Sequence, residues 1–130
     1  MQKAIINPWQ WQDNLGYAQA IEVSHASHTL YCAGQAAMTP DGQPVAADMA
    51  EQIGLCFDNL ETVLRQADYS LANVVRLNFY TTSTEQFFVA YGHVLRRLGA
   101  LGCTPASTLT EVRALAFPEL LIEIEATAVK

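Results

Sequence analysis

Leu120-Leu121-Ile122-Glu123-Ile124-Glu125-Ala126-Thr127 sets the architecture. Leu120, Ile122, Ile124 and Ala126 alternate with Leu121, Glu123, Glu125 and Thr127, the period-2 pattern of a strand with one face on a core. Upstream, Asn73 to Thr82 repeats the pattern, with Val75, Leu77 and Phe79 set against Arg76, Asn78 and Tyr80. Two helical stripes flank this second strand. From Asp48 to Ala67, Met49, Ile53, Cys56, Leu60, Val63 and Ala67 recur at spacings of three and four, with Asp48-x-x-Glu51 as an N-terminal cap. From Glu85 to Leu98, Phe87, Tyr91, Val94, Leu95 and Leu98 form another, capped by Ser83-x-x-Gln86 and stopped at Gly99.

Outward from these elements, Gly16–Val23 and Thr29–Ala37 flank a polar Ser-His-Ala-Ser-His turn and predict a hairpin. Thr39-Pro40-Asp41-Gly42 is a further turn with a short strand expected after it, and Ser107–Leu115 is a strand before the last one. Two or three strands, helix, strand, helix, two strands is an α+β order. Right-handed crossovers put both helices on one face of a single mixed sheet. The other face has only solvent or a partner subunit to meet.

Composition favours the partner. The chain has 130 residues, which predicts one domain over 1–130, with 51% hydrophobic and only 15% charged residues. The net charge of −6 and the lack of a basic run oppose nucleic acid as a partner. No apolar run reaches the ~18 residues of a membrane span, and Met1–Pro8 does not read as a signal peptide. Cys32, Cys56 and Cys103 are scattered, and His25, His28 and His93 make no metal pattern. The expectation is therefore a cytoplasmic protein with no metal and no cofactor. Cys103, in a Leu-Gly-Cys-Thr loop, is the thiol expected to be exposed. Trp9 and Trp11 suit packing of an N-terminal arm or a lid over a cleft.

Four stretches carry a resemblance: Gly16-Tyr17-Ala18-Gln19-Ala20; Tyr31-Cys32-Ala33-Gly34-Gln35; Gln52 through Asn59-Leu60-Glu61-Thr62-Val63-Leu64; and Ile122-Glu123-Ile124-Glu125-Ala126-Thr127-Ala128-Val129. In order and spacing they resemble the Rid/YjgF family, the reactive-intermediate imine deaminases also labelled endoribonuclease L-PSP. The resemblance implies a chorismate-mutase-like fold, a homotrimer around a central sheet barrel, and small-molecule clefts between subunits. In the best-known branch a 2-imino acid is held by the arginine of a Pro-Ala-Arg motif while a carboxylic acid places the water that releases ammonia. Glu123 resembles that acid, and Tyr17 the tyrosine lining the cleft.

The chain departs from that branch at the clamp. It reads Pro105-Ala106-Ser107, so a serine replaces the arginine. Ala33 precedes Gly34 where the branch has serine, Ala90 replaces an asparagine and Leu109 a cysteine. A hydroxyl offers neutral hydrogen bonds without the bidentate fork, so 2-imino acids lose their anchor. Ala33, Gly34, Ala90, Ser107 and Leu109 are the expected ligand-binding positions, with Glu123 and Tyr17 catalytic. Three functions stay open: hydrolysis of an imine or enamine with Glu123 placing water, a non-catalytic metabolite-binding trimer, and, least supported, an endoribonuclease.

Overall fold

A computed structural model describes all 130 residues. Its centre is a mixed five-stranded sheet. β1 (Gln2–Ile6) and β2 (Ala20–Ser24) form a separate antiparallel ribbon, while β3 (Thr29–Tyr31), β4 (Gln35–Ala36), β5 (Val74–Thr81), β6 (Ala106–Glu111) and β7 (Ile122–Val129) build the sheet. The order is β3-β7-β5-β6, and β4 also pairs with β7. β5 runs parallel to β6, the arrangement a helical crossover produces.

The decisive stretch is the strand that the alternation predicts. Ile122, Ile124, Ala126 and Ala128 are buried, whereas Glu123, Glu125 and Thr127 lie on the opposite face. Across β5 the buried set continues through Val74, Leu77, Phe79 and Thr81. α1 (Met49–Gln66) covers it, with Ile53, Cys56, Phe57, Leu60 and Leu64 buried. Its cap is the expected one: the Asp48 side chain accepts a hydrogen bond from the Glu51 N–H at 2.9 Å. Arg97 fastens the second helical segment to α1 through Asp58, at 2.9 Å, and Glu61.

That segment is two helices rather than one. α2 (Thr84–Val89) ends and α3 (Tyr91–Gly99) begins around Ala90, at φ −94 and ψ 3. The apolar stripe is unbroken through Phe87, Val94 and Leu98, so periodicity alone does not reveal the break.

The expected hairpin does not form. β2 pairs with β1, a strand absent from the sequence reading, and β3 pairs with β7. Ser27 and His28 donate their N–H groups to the Lys130 carbonyl, each at 2.9 Å, which draws the turn to the end of β7 instead. The short strand after Gly42 is reduced to a bridge between Met38 and Pro44, and β6 stops at Glu111 rather than Leu115. Thr29–Ala36 is one edge strand with an interruption. Between Tyr31 and Gln35 it carries one residue more than β7 does over the same span, so a bulge falls at Cys32–Gly34.

Cys103 is buried, contrary to the sequence reading. Its N–H closes the end of α3 on the Leu98 carbonyl at 2.9 Å, and its Sγ faces the Val74 carbonyl at 3.9 Å. Burial pushes its thiol up to about 11 and that of Cys56, also near the Glu123 charge, to about 12; Cys32 is raised by burial too. At Cys56 and Cys103 almost no thiolate is present at pH 8, and burial disfavours it at Cys32 as well. A disulfide-exchange reagent at pH 8 should therefore titrate none of the three thiols rapidly in the native chain and all three in urea. Rapid native reaction of one thiol would show that its site opens.

Candidate functional site

The family-derived positions fall into two groups on opposite faces of the sheet. In register, Ser107 stands beside Leu77 and Leu109 beside Phe79, so both point to the helix-covered face. Tyr17 joins them because the Ala18 N–H bonds the Pro105 carbonyl at 2.9 Å and Ala18 bridges to Ala106. The three residues line a cavity of about 280 Å³. Phe79, Phe87, Phe88, Tyr91 and Leu15 complete its wall, and Ser107 is the one lining residue that is not hydrophobic.

The rings form a connected cluster. Phe87 lies 5.2 Å from Phe79, 6.0 Å from Phe88 and 5.5 Å from Tyr91, centroid to centroid. The strap carrying Leu15 is held down by the Tyr91 hydroxyl, which donates to the Leu15 carbonyl at 2.5 Å. Burial, with Tyr17 adding to it, raises the Tyr91 phenol above its ordinary range, keeping it a donor. Gly16, at φ +80, lets the strap pass: a Cβ there would stand 2.6 Å from Leu95 Cδ2. Sequence periodicity marks Phe87 and Tyr91 as core residues; it does not reveal that the same rings line a cavity. Trp9 and Trp11 stack on each other, 6.4 Å apart, and line none of the described cavities.

Glu123 lies on the other face, opposite Tyr80, beside the bulge. It shares an open pocket with Gly34, Gln35, Phe117 and Leu120. The carboxylate rests directly on Gly34: a Cβ on that residue would fall 1.8 Å from Oε1. Ala33 is exposed beside it and accepts from Gln35 Nε2 at 3.2 Å. Ala90 joins neither group. It is buried at the α2–α3 break and borders a depression shared with Asp48, Met49 and Val89.

Within one chain Glu123 cannot serve the cavity at Ser107. Two strand spacings and three residues separate them, about 14 Å, with the sheet between their side chains. Arg76 does not replace the clamp within the chain: it projects from the Glu123 face and donates to Thr108 Oγ1 at 2.7 Å. Glu125, next on that face, accepts from Asn78 Nδ2 at 3.2 Å and the Tyr80 hydroxyl at 3.0 Å. Arg113 is exposed beyond the end of β6. No helix is long and apolar enough to cross a membrane.

Comparison with known proteins bears on the family and the fold. The family model for endoribonuclease L-PSP matches residues 12–130. A RutC family protein of Pyrococcus horikoshii is 32% identical over 115 residues, covering 88% of this chain and 86% of its own. The mitochondrial protein MMF1 of Saccharomyces cerevisiae is 31% identical over 71 residues, 55% of this chain; the match spans about half, 47%, of that relative's length. The crystal structure of YyfB from Yersinia pestis, described as a Rid family protein of unknown function, superposes with a TM-score of 0.87 at 36% identity, covering 100% of both chains. The mixed sheet with its helices is the fold of this group, and the chain belongs to the endoribonuclease L-PSP family, the Rid/YjgF proteins.

Proposed function

We propose that the chain works as a homotrimer that binds a small metabolite in clefts between subunits and hydrolyses an imine or enamine there. The observation that carries this reading is the division of the site. The aromatic cavity lies at the β6 edge of the sheet and Glu123 at the β4–β7 edge, on opposite faces. Such halves can meet when one edge of a chain faces the other edge of the next, a heterologous contact that gives a ring where the rotation closes. Tyr31, Phe88 and Val89, at 80%, 63% and 86% exposure, are the apolar surface such a contact would cover, and the buried Asn78 Oδ1 lacks a donor in the single chain. Light scattering at micromolar concentration should give three times 14.3 kDa; a stable monomer would remove the shared cleft.

In the assembled cleft the Glu123 carboxylate takes a proton from water as the oxygen adds to the C=N carbon. Returning that proton to nitrogen gives the carbinolamine. A second relay, of the carbinolamine hydroxyl proton through the same carboxylate to nitrogen, lets ammonia leave as the C=O bond forms. General acid–base help of this kind contributes about 10²–10⁴-fold. With Ser107 at the clamp position, 2-imino acids from serine or threonine should turn over poorly. The test is ammonia or carbonyl release from the imine that an amine oxidase makes from phenethylamine. The protein should accelerate release, and Glu123→Gln should remove the acceleration. If both variants bind ligand but neither accelerates release, the trimer is the non-catalytic metabolite binder, the reading that the missing clamp also supports. The net charge of −6 opposes a ribonuclease role. Three free thiols support assignment to a reducing compartment, the cytoplasm.

A further inference from the structure

We infer that the cavity at Ser107 selects an uncharged ligand bearing one aromatic ring. The inference rests on the shared-cleft reading above and names its ligand class. Size comes first. An apolar cavity of roughly 150 Å³ holds benzene; about 280 Å³ therefore accommodates one ring and a short substituent. Shape comes second. Phe79, Phe87 and Tyr91 present a connected cluster of tilted and edge-on rings, the surroundings that offset or edge-to-face packing of another ring requires.

Charge decides the rest, because no lysine or arginine lines the cavity or the Glu123 pocket. Lys3 donates to the Ala72 carbonyl, Arg65 to Thr62 and Lys130 to the Asp68 carbonyl. Arg76 is on Thr108, Arg96 beside His93, and Arg97 between Asp58 and Glu61. Arg113 alone makes no such contact, and it is exposed past the end of β6, outside the cavity. The half-site that a neighbouring copy contributes adds Glu123, an acid, and no cation. A carboxylate ligand would thus lose its water, gain no counter-ion and face a like charge. The Ser107 hydroxyl instead supplies one neutral hydrogen bond to a carbonyl, imine or amide.

Calorimetric titration of the full chain with three probes tests this. Phenylacetamide and phenylacetate differ by one charge at nearly the same shape, and hexanamide replaces the ring by a flexible chain. Phenylacetamide should bind at least about tenfold more tightly than phenylacetate and about fivefold more tightly than hexanamide. Ser107→Arg should invert the first ranking. Phe88→Ala, which removes one ring from the cavity wall, should weaken phenylacetamide about threefold to tenfold. Phenylacetate binding as tightly as phenylacetamide overturns the inference, and its loss in Arg113→Ala would name the residue responsible. Equal affinity for hexanamide overturns the aromatic part. No binding of any probe overturns both the ligand class and the cleft reading. The expected ranking, found in a chain whose Glu123→Gln variant releases ammonia as fast as the parent, supports the ligand class and removes only the hydrolytic reading.

Discussion

Gly34→Ala should slow imine hydrolysis about as much as Glu123→Gln does, roughly 10²-fold or more. The reason is steric. A methyl group on Gly34 would lie 1.8 Å from Glu123 Oε1, 2.8 Å from Cδ and 3.0 Å from Cγ, so the side chain has to leave its present rotamer. A carboxylate displaced by an ångström or more no longer places a water against the reacting carbon. Gly34 is itself exposed and lies in the bulge, so the substitution spares the core and the melting temperature should hold. Because both changes act through one carboxylate, the double variant Gly34→Ala/Glu123→Gln should be no slower than either single one. Ammonia release measured on all four proteins checks this. A fast Gly34→Ala protein beside a slow Glu123→Gln protein would show that the carboxylate acts from a different position.

The largest loss of stability is expected at Gln52. It is wholly buried on α1, and its side chain spends every strong bond on backbone. Nε2 donates to the carbonyls of Ala47 at 3.0 Å and Glu119 at 2.8 Å, and Oε1 accepts from the Leu121 N–H at 2.8 Å. Leucine fills a similar volume but leaves two carbonyls and one N–H, in part-buried bonds, without their partner. At about 1–3 kcal/mol for each buried group left unpaired, Gln52→Leu should cost at least about 3 kcal/mol in urea unfolding. Gln52→Glu retains the acceptor, loses the paired donors and adds a buried charge, so it should do no better. A loss below about 1 kcal/mol for Gln52→Leu would mean that water enters and replaces the amide.

Gln52 marks where sequence reasoning stops. Its place on the buried face of a helix fits the spacing, yet its role is to join the lead-in to α1 at Ala47 to the distant segment Glu119–Leu121, which no local pattern encodes. The same division runs through the fold. α1, β7 and β5 from Leu77 onward follow the alternation and capping signals because each buries one face against one neighbour, whereas a register shift between Val74 and Arg76 buries Val74 in place of the expected Val75. The β1–β2 ribbon was not legible: β1 is exposed at all five residues and so carries no burial pattern to read. The break at Ala90 was hidden by an apolar stripe that continues across it. At the site, strand parity correctly put Glu123 opposite the core face, and the motif placed Ser107 near Tyr17. That these belong to different faces of one chain depends on register, and the five-ring cavity depends on how α2 packs; neither is written in residue spacing.

The strand order also constrains how the chain acquires its structure. β7 occupies the middle of the sheet, bonded to β5 on one side and to β3 and β4 on the other, with Thr29 paired to Val129. During synthesis α1 and the β5–α2–α3–β6 unit can emerge and collapse, but β3 and β4 have no sheet partner until residues 122–129 leave the ribosome. Loop closure over about a hundred residues then falls late, which makes folding slow for a domain of this size. Until that strand arrives, both β5 and β4 present open edges able to pair with another nascent chain. Slow amide exchange should be concentrated on β5 and β7 in the finished protein, and a ribosome-stalled chain lacking residues 122–129 should be the species most dependent on chaperones.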